Sequence, residues 1–125
     1  MPLVRIDLDH TIPAHPRRAI ADAIHDALVT SLAMPPHDRF QIITTHPGQD
    51  ELVFDTHHLG VERRNVVFIQ IVMVHLDDRP TKAAMFTSVT AAQIAADVRR
   101  DDIFATLTEN TAEDWYAGVD SAALP

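Results

Sequence analysis

The spacing of apolar residues changes in the first part of the chain from alternation to a repeat of four. In PLVRIDL (2–8), alternation predicts a strand with two different faces. One face carries Pro2, Val4, Ile6 and Leu8, and the other carries Leu3, Arg5 and Asp7. Over about residues 16–32 the repeat predicts an amphipathic helix. Its buried stripe comprises Ile20, Ile24, Leu28 and Leu32.

Capping and helix-breaking residues set the ends of this helix. Thr11 or a nearby residue is expected to cap its start. Pro35 and Pro36 end it, because proline cannot continue a helix. The following RFQIITTH (39–46) predicts a second strand.

The same order of elements is predicted again in the second half of the chain. Residues 47–64 are loop-like, although ELVFD (51–55) could form a short strand. The apolar run NVVFIQIVMV (65–74) predicts a strand covered on both faces. A helix is predicted from about Pro80, and DDIFATLTEN (101–110) predicts a fourth strand. One side of that helix carries Met85, Val89, Ala92 and Ala96.

Two successive strand–helix–strand units predict an α+β fold, with a four-stranded sheet and both helices on one face. We expect a single domain over residues 1–125, made of two pseudo-repeats at about 2–58 and 65–125. The other sheet face is then uncovered, although the third strand is apolar on both sides. Because a small chain can cover such a face with copies of itself, we expect a homo-oligomer.

The composition is that of a soluble globular domain and argues against several classes of partner. Of 125 residues, 46% are hydrophobic and 22% are charged. A net charge of −8 argues against nucleic acid or an anionic membrane as the main partner. The absence of cysteine excludes disulfides and cysteine nucleophiles. With no recognisable secretory leader, we expect a cytoplasmic protein.

The polar residues give no support for a metal centre or a bound cofactor. Eight histidines are present, but none forms a His-x-His motif or a four-residue helical pair. Three glycines are too few for a dinucleotide fingerprint or a phosphate-binding loop. We therefore expect neither a metal nor a cofactor.

Pro2 directly follows the initiator methionine, and a small second residue generally permits removal of Met1. The new N-terminus would be a secondary amine with a pKa of about 8, able to act as an acid, a base or a nucleophile. Pro2 could also be only the first residue of a strand, where proline is tolerated.

Four segments resemble, in order, the tautomerase superfamily and its malonate semialdehyde decarboxylase-like branch. They are PLVRIDL, IADAIHDALVTSLAMPPHDRFQII, VVFIQI and DDIFATLTENTAEDWYAG, which together extend over nearly the whole chain. The resemblance implies a homotrimer that acts without a cofactor on a small oxo acid. It also implies that Pro2 is the catalytic group, that Asp38 assists it and that Trp115 lines the pocket.

The chain departs from this branch at the two arginines that hold the substrate carboxylate. Those positions fall on Val74 and Leu76. Arg79, His75 and Arg39 are the candidates to bind the carboxylate instead. The decarboxylase substrate is therefore less firmly implied than the chemistry of the proline.

Each candidate also has a structural interpretation. Asp38 could cap a turn, Trp115 could belong to the core or a subunit contact, and Arg79 could be a surface residue at a helix start. Whether Pro2 acts as an acid or a base depends on whether Asp38 or burial dominates its charge. The alternative functions are a keto–enol tautomerase of a 2-oxo acid and a non-catalytic α+β ligand-binding or interaction module.

Overall fold

The computed structural model describes residues 2–75 and 78–119, and these contain four strands and two helices in the predicted order. The elements are β1 (Leu3–Asp9), α1 (Ala14–Leu32), β2 (Phe40–His46), β3 (Val67–Val74), α2 (Arg79–Ala95) and β4 (Ile103–Asn110). Leu76, one of the two positions of the missing arginine pair, lies outside the described residues.

The sheet joins two parallel pairs of strands through a central antiparallel pair. The strand order is β2-β1-β3-β4. β1 runs parallel to β2 and β3 runs parallel to β4, whereas β1 and β3 are antiparallel. Each half of the chain forms one β-α-β unit, so the predicted α+β architecture is confirmed.

Both helices pack on one face of the sheet and form the core with it. The predicted buried face of β1 is confirmed, because Val4, Ile6 and Leu8 are almost completely buried. Burying one such side chain contributes about 1.5–3 kcal/mol, so the apolar stripes fix the orientation of each helix. The stripe residues buried in the helices are Ile20, Ile24, Leu28, Met85 and Val89.

The short strand considered at residues 51–55 is absent, so this interpretation is wrong. Glu51 lies in a turn and residues 52–55 have no regular structure. Leu52 is buried while Val53 is 78% exposed. A single buried side chain therefore anchors this segment, and no strand is paired with it.

The helix α1 starts at a residue near Thr11, as predicted, but Thr11 itself does not cap it. Pro13 occupies the N-cap position and makes no side-chain hydrogen bond. Thr11 is used elsewhere: its backbone nitrogen and its hydroxyl each donate to Asp9 Oδ1 at 2.8 Å. In contrast, α2 has a conventional cap, in which Asp78 accepts a hydrogen bond from the Thr81 backbone nitrogen.

The sheet face opposite the helices, which we call the open face, is covered only in part in the single chain, by the loop around Leu52. By strand alternation it carries Arg5, Asp7, Phe40, Ile42, Phe68, Gln70, Val72 and Phe104. Phe40, Ile42 and Phe104 are 53%, 45% and 47% exposed. Phe40 and Ile42 lie on the edge strand β2 and Phe104 on the opposite edge strand β4, so exposed apolar side chains flank the open face on both edges. Neither described helix is long and apolar enough to cross a membrane.

Candidate active site

The strand directions bring four chain segments to one edge of the sheet. β1 and β2 begin at this edge, where Pro2 precedes β1 and Asp38 and Arg39 precede β2. β3 and β4 run the other way and end at the same edge, at Val74 and Asn110. We call it the proline edge.

Pro2 lies on the helix-covered side of this edge, where it is buried. Leu3 pairs with Phe40 and with Val72, so the preceding Pro2 lies between Arg39 and Met73. Met73 pairs in turn with Glu109. With about 5 Å between neighbouring strands, Arg39 lies one spacing from Pro2 and Glu109 lies two spacings away on the other side.

Asp38 lies in the tight turn that leads into β2. Its backbone nitrogen donates to the Pro35 carbonyl at 3.0 Å, and the Arg39 nitrogen donates to the His37 carbonyl at 2.9 Å. The Asp38 residue is half-buried. The turn therefore fixes the backbone of Asp38 one residue before the position beside Pro2.

The guanidinium of Arg39 is directed to α1. It donates to Asp22 Oδ1 at 2.7 Å and to Gln41 Oε1 at 2.8 and 2.9 Å. The hydrogen bond from Arg39 holds the pKa of Asp22 below its ordinary value of 3.8. In the single chain, Arg39 therefore links the start of β2 to α1, in addition to its position beside Pro2.

Beyond β3, a cluster of charged side chains forms around Glu109. His75 Nδ1 lies 2.8 Å from Glu109 Oε2, and Lys82 forms an ion pair with the other carboxylate oxygen. Arg79 is the exposed first residue of α2, in the same helical turn as Lys82. Arg79 and Lys82 therefore place cationic groups, and His75 an imidazole, near the proline edge.

Sequence reasoning missed Glu109 and Lys82. The available signal was the helix-facing side of β4, where Ile103, Ala105 and Leu107 are followed by a charged residue. A carboxylate on a face that packs against helices requires a partner. The identity of that partner could not be read from spacing, since Lys82 is distant in the chain.

Trp115 is anchored at the same edge. Its indole Nε1 donates to Asn110 Oδ1 at 2.6 Å. The intervening turn is closed by a capping box between Thr111 and Asp114. The structure thus places Pro2, Asp38, Arg39, His75 and Trp115 at one edge, the first four by strand register and Trp115 by this hydrogen bond.

A second polar cluster lies on the open face, away from Pro2. His46 Nε2 is 2.6 Å from Asp7 Oδ1 and its Nδ1 is 3.0 Å from Glu51 Oε1, while Arg5 donates to Asp7 at 3.0 Å. The carboxylates of Glu51 and Asp7 raise the pKa of His46 above 6.5. Burial alone would raise the pKa of Asp7, but the hydrogen bonds from His46 and Arg5 hold it below 3.8.

An apolar cavity of about 250 Å³ lies beyond this cluster on the open face. Its walls include Val66, Phe68 and Phe104, and the two phenylalanine rings are 5.7 Å apart. Its lining does not include Pro2. We place the candidate site at the proline edge, since the segments that carry Pro2, Asp38, Arg39 and His75 converge there.

Comparisons with known proteins give this arrangement a family context. Residues 38–118 match the family model described as Tautomerase enzyme. The structure of FG41 malonate semialdehyde decarboxylase inhibited by 3-bromopropiolate is 38% identical, covers 98% of this chain and 99% of that chain, and has a TM-score of 0.89. Probable tautomerase YrdN of Bacillus subtilis (strain 168) is 28% identical over 98% of this chain and 95% of its own length.

A more distant structure shows the same fold. A symmetric trimer of wild-type fused 4-OT has a TM-score of 0.79 at 17% identity, and the match covers 97% of each chain.

Proposed function

Because the chain belongs to the tautomerase family, we propose that it is an enzyme that decarboxylates a small 3-oxo acid such as malonate semialdehyde, with Pro2 as its amino-terminal catalytic group. The observation that carries this proposal is the similarity, over nearly the whole of both chains, to a malonate semialdehyde decarboxylase. The burial of Pro2 beside the turn that holds Asp38 supports it.

Removal of Met1 would give Pro2 a secondary ammonium group near a carboxylate. A negative charge on Asp38 favours this cationic form. Arg79 or His75, and more weakly Arg39, would hold the substrate carboxylate before it leaves. The ammonium group would donate a hydrogen bond to the carbonyl oxygen of the substrate.

The reaction then breaks the bond between the carboxylate carbon and the methylene carbon. The electron pair of that bond moves to the carbonyl oxygen to form an enolate, and carbon dioxide leaves. The Pro2 cation stabilises the enolate charge as it develops. The enolate carbon takes a proton from the ammonium group, giving the aldehyde, and solvent returns a proton to Pro2.

A keto–enol tautomerase of a 2-oxo acid is the second candidate. Its support is the similarity to probable tautomerase YrdN. Such a reaction needs the same amine, first as a base and then as an acid. Retention of Met1 would contradict both candidates and leave a non-catalytic α+β module.

We also propose that the protein is a homotrimer. The open face carries exposed apolar residues that a single chain leaves uncovered, among them Ile42. The fused 4-OT structure that shares this fold is a symmetric trimer. Packing of open faces between copies would remove this apolar surface from water.

The proposal is tested by following ¹³C-labelled malonate semialdehyde by NMR with the purified protein. We expect labelled carbon dioxide from the parent and a roughly hundredfold or larger loss of rate in Pro2→Ala, a typical effect of removing a general acid. Pro47→Ala, at an exposed proline after β2, is the matched control and should keep the parental rate. Equal rates in the parent and Pro2→Ala would contradict the role of the proline, and no reaction would rule out this substrate.

A further inference from the structure

One histidine of α1 is buried and donates a hydrogen bond to the turn that carries Asp38. His25 is 7% exposed, and its Nε2 lies 2.6 Å from the Pro36 carbonyl oxygen. A carbonyl oxygen can only accept, so the proton of this hydrogen bond belongs to His25 Nε2. Sequence reasoning did not single out this histidine.

The hydrogen bond closes the centre of the turn. Asp38 donates its backbone N–H to Pro35, and Pro36 lies between these two residues. The Pro36 carbonyl is thus fixed from the core side by His25, two residues before Asp38. α1 itself is held by Ile24 and Leu28, which are almost completely buried.

A second contact from the same helix holds the residue after Asp38. Asp22, three residues before His25 and hence on the same side of α1, accepts a hydrogen bond from Arg39 at 2.7 Å. The Asp22 and Arg39 side chains are 46% and 30% exposed, so solvent weakens this pair. The hydrogen bond of His25 is part-buried, and its donor is less exposed to solvent than either member of this pair.

We infer that His25 is a positioning residue that holds Asp38 in place beside Pro2, with Asp22 as a weaker second contact. This inference rests on the proposed function. His25 acts through the Pro36 carbonyl and hence through the backbone of the turn, whereas in the proposed function Asp38 acts on Pro2 directly. Catalysis depends steeply on such placement, because a shift of about 1 Å can cost roughly a hundredfold in rate.

The inference is tested with His25→Leu, His25→Gln, Asp38→Asn and the double variant His25→Leu/Asp38→Asn, assayed on ¹³C-labelled malonate semialdehyde. We expect His25→Leu to lower kcat roughly tenfold or more with a smaller change in KM. His25→Gln, which retains an N–H donor, should recover most of the loss. In the Asp38→Asn background, His25→Leu should change kcat little further, because the group that it positions is already lost.

A matched control separates positioning from general destabilisation. Gln93 is fully buried and also donates a side-chain hydrogen bond to a backbone carbonyl of α1, that of Ile20. It lies away from the Asp38 turn, so Gln93→Met should keep the parental kcat once the folded fraction is matched by circular dichroism.

Hydrogen exchange of the Asp38 amide gives a readout that does not depend on activity. In His25→Leu this amide should exchange at least about tenfold faster, while the β1 amides keep their parental rates. A normal kcat in His25→Leu, or rate losses that multiply in the double variant, would overturn the inference while leaving the proposed function intact. If the parent has no activity on malonate semialdehyde, that proposed activity fails, and an unchanged Asp38 exchange rate would overturn the positioning role as well.

Discussion

The ring nitrogen of Pro2 is the group on which the proposed reaction depends, and two opposed effects set its charge. Burial disfavours the ammonium form, whereas the negative charge of Asp38 favours it. The backbone of Asp38 is held by the turn, and its neighbours Pro36 and Arg39 are bound to α1. In the proposed mechanism, the Asp38 carboxylate favours a cationic Pro2, as enolate stabilisation requires.

Replacement of Arg79 tests whether it binds the substrate carboxylate. We expect Arg79→Ala to raise KM for malonate semialdehyde roughly tenfold or more with little change in kcat, because it removes a charge-assisted contact. Arg100→Ala, at an exposed arginine before β4, is the control. Unchanged steady-state kinetics in Arg79→Ala would remove Arg79 from the site and leave His75 and Arg39 as candidates.

The sequence identified some candidate site residues and missed others for a physical reason. Pro2, Asp38 and Trp115 were found because they lie in segments that resemble a known family. Glu109 contacts Lys82 and His75, which are distant in the chain, and His25 contacts the turn that follows its own helix, so neither contact is revealed by the spacing of residues. The only sign of each residue in the local sequence is a polar side chain at a position where the pattern predicts a core-facing residue.

At the scale of elements, alternation, a four-residue repeat or an apolar run predicted both helices and all four described strands. A regular buried face is found in β1, β3 and the helices, whereas no residue of β2 is buried. The errors lie where regular burial ends. Leu52 and Val53 are apolar neighbours, yet one is buried and the other is almost fully exposed. Thr11 was an acceptable cap by residue type, but hydrogen bonds to Asp9 hold it outside the helix.

The Asp7–His46–Glu51 cluster joins β1, β2 and the following turn, so its charge affects how these elements hold together. Because the pKa of His46 is raised, its stabilising contribution is fully present below pH 6.5 and is lost as pH rises through the folded-state pKa. Because the pKa of Asp7 is lowered, its contribution is present above pH 3.8 and is lost as pH falls through the folded-state pKa. The cluster is most stabilising between these two limits.

Thermal unfolding as a function of pH tests this assignment. The loss of stability in His46→Gln relative to the parent should be largest in mildly acidic buffer and should shrink as pH rises above 6.5. In Glu51→Gln the stability should decline at a lower pH than in the parent, because Glu51 makes the largest contribution to the raised pKa. If the stability difference between His46→Gln and the parent grew with rising pH, it would contradict this assignment.

At the scale of the whole molecule, the open face is the surface that the single chain leaves incomplete. Phe40, Ile42 and Phe104 are about half exposed on it, while two helices pack on the opposite face. The net charge of −8 disfavours nonspecific association between copies through other parts of the surface. The proposed trimer resolves this difference by covering the open face.

A single charge on the open face should disrupt the trimer. We expect the parent to sediment as a trimer and Ile42→Lys to sediment as a smaller species with an unchanged far-ultraviolet spectrum, because burial of an unpaired charge is costly. Ala84→Lys, at an exposed position of α2, should remain trimeric. A monomeric parent, or a trimeric Ile42→Lys, would contradict the proposed interface.

The central claim, that Pro2 is a free amine facing a carboxylate, is tested most directly by a ¹⁵N NMR titration of protein labelled with ¹⁵N-proline. The chain has eight prolines, but only an amino-terminal proline carries a nitrogen that titrates. We predict one titrating signal, whose pKa falls in Asp38→Asn because the neutral amide no longer stabilises the ammonium form. A spectrum in which no proline nitrogen titrates would show that Met1 is retained, and an unchanged midpoint in Asp38→Asn would show that Asp38 does not act on Pro2.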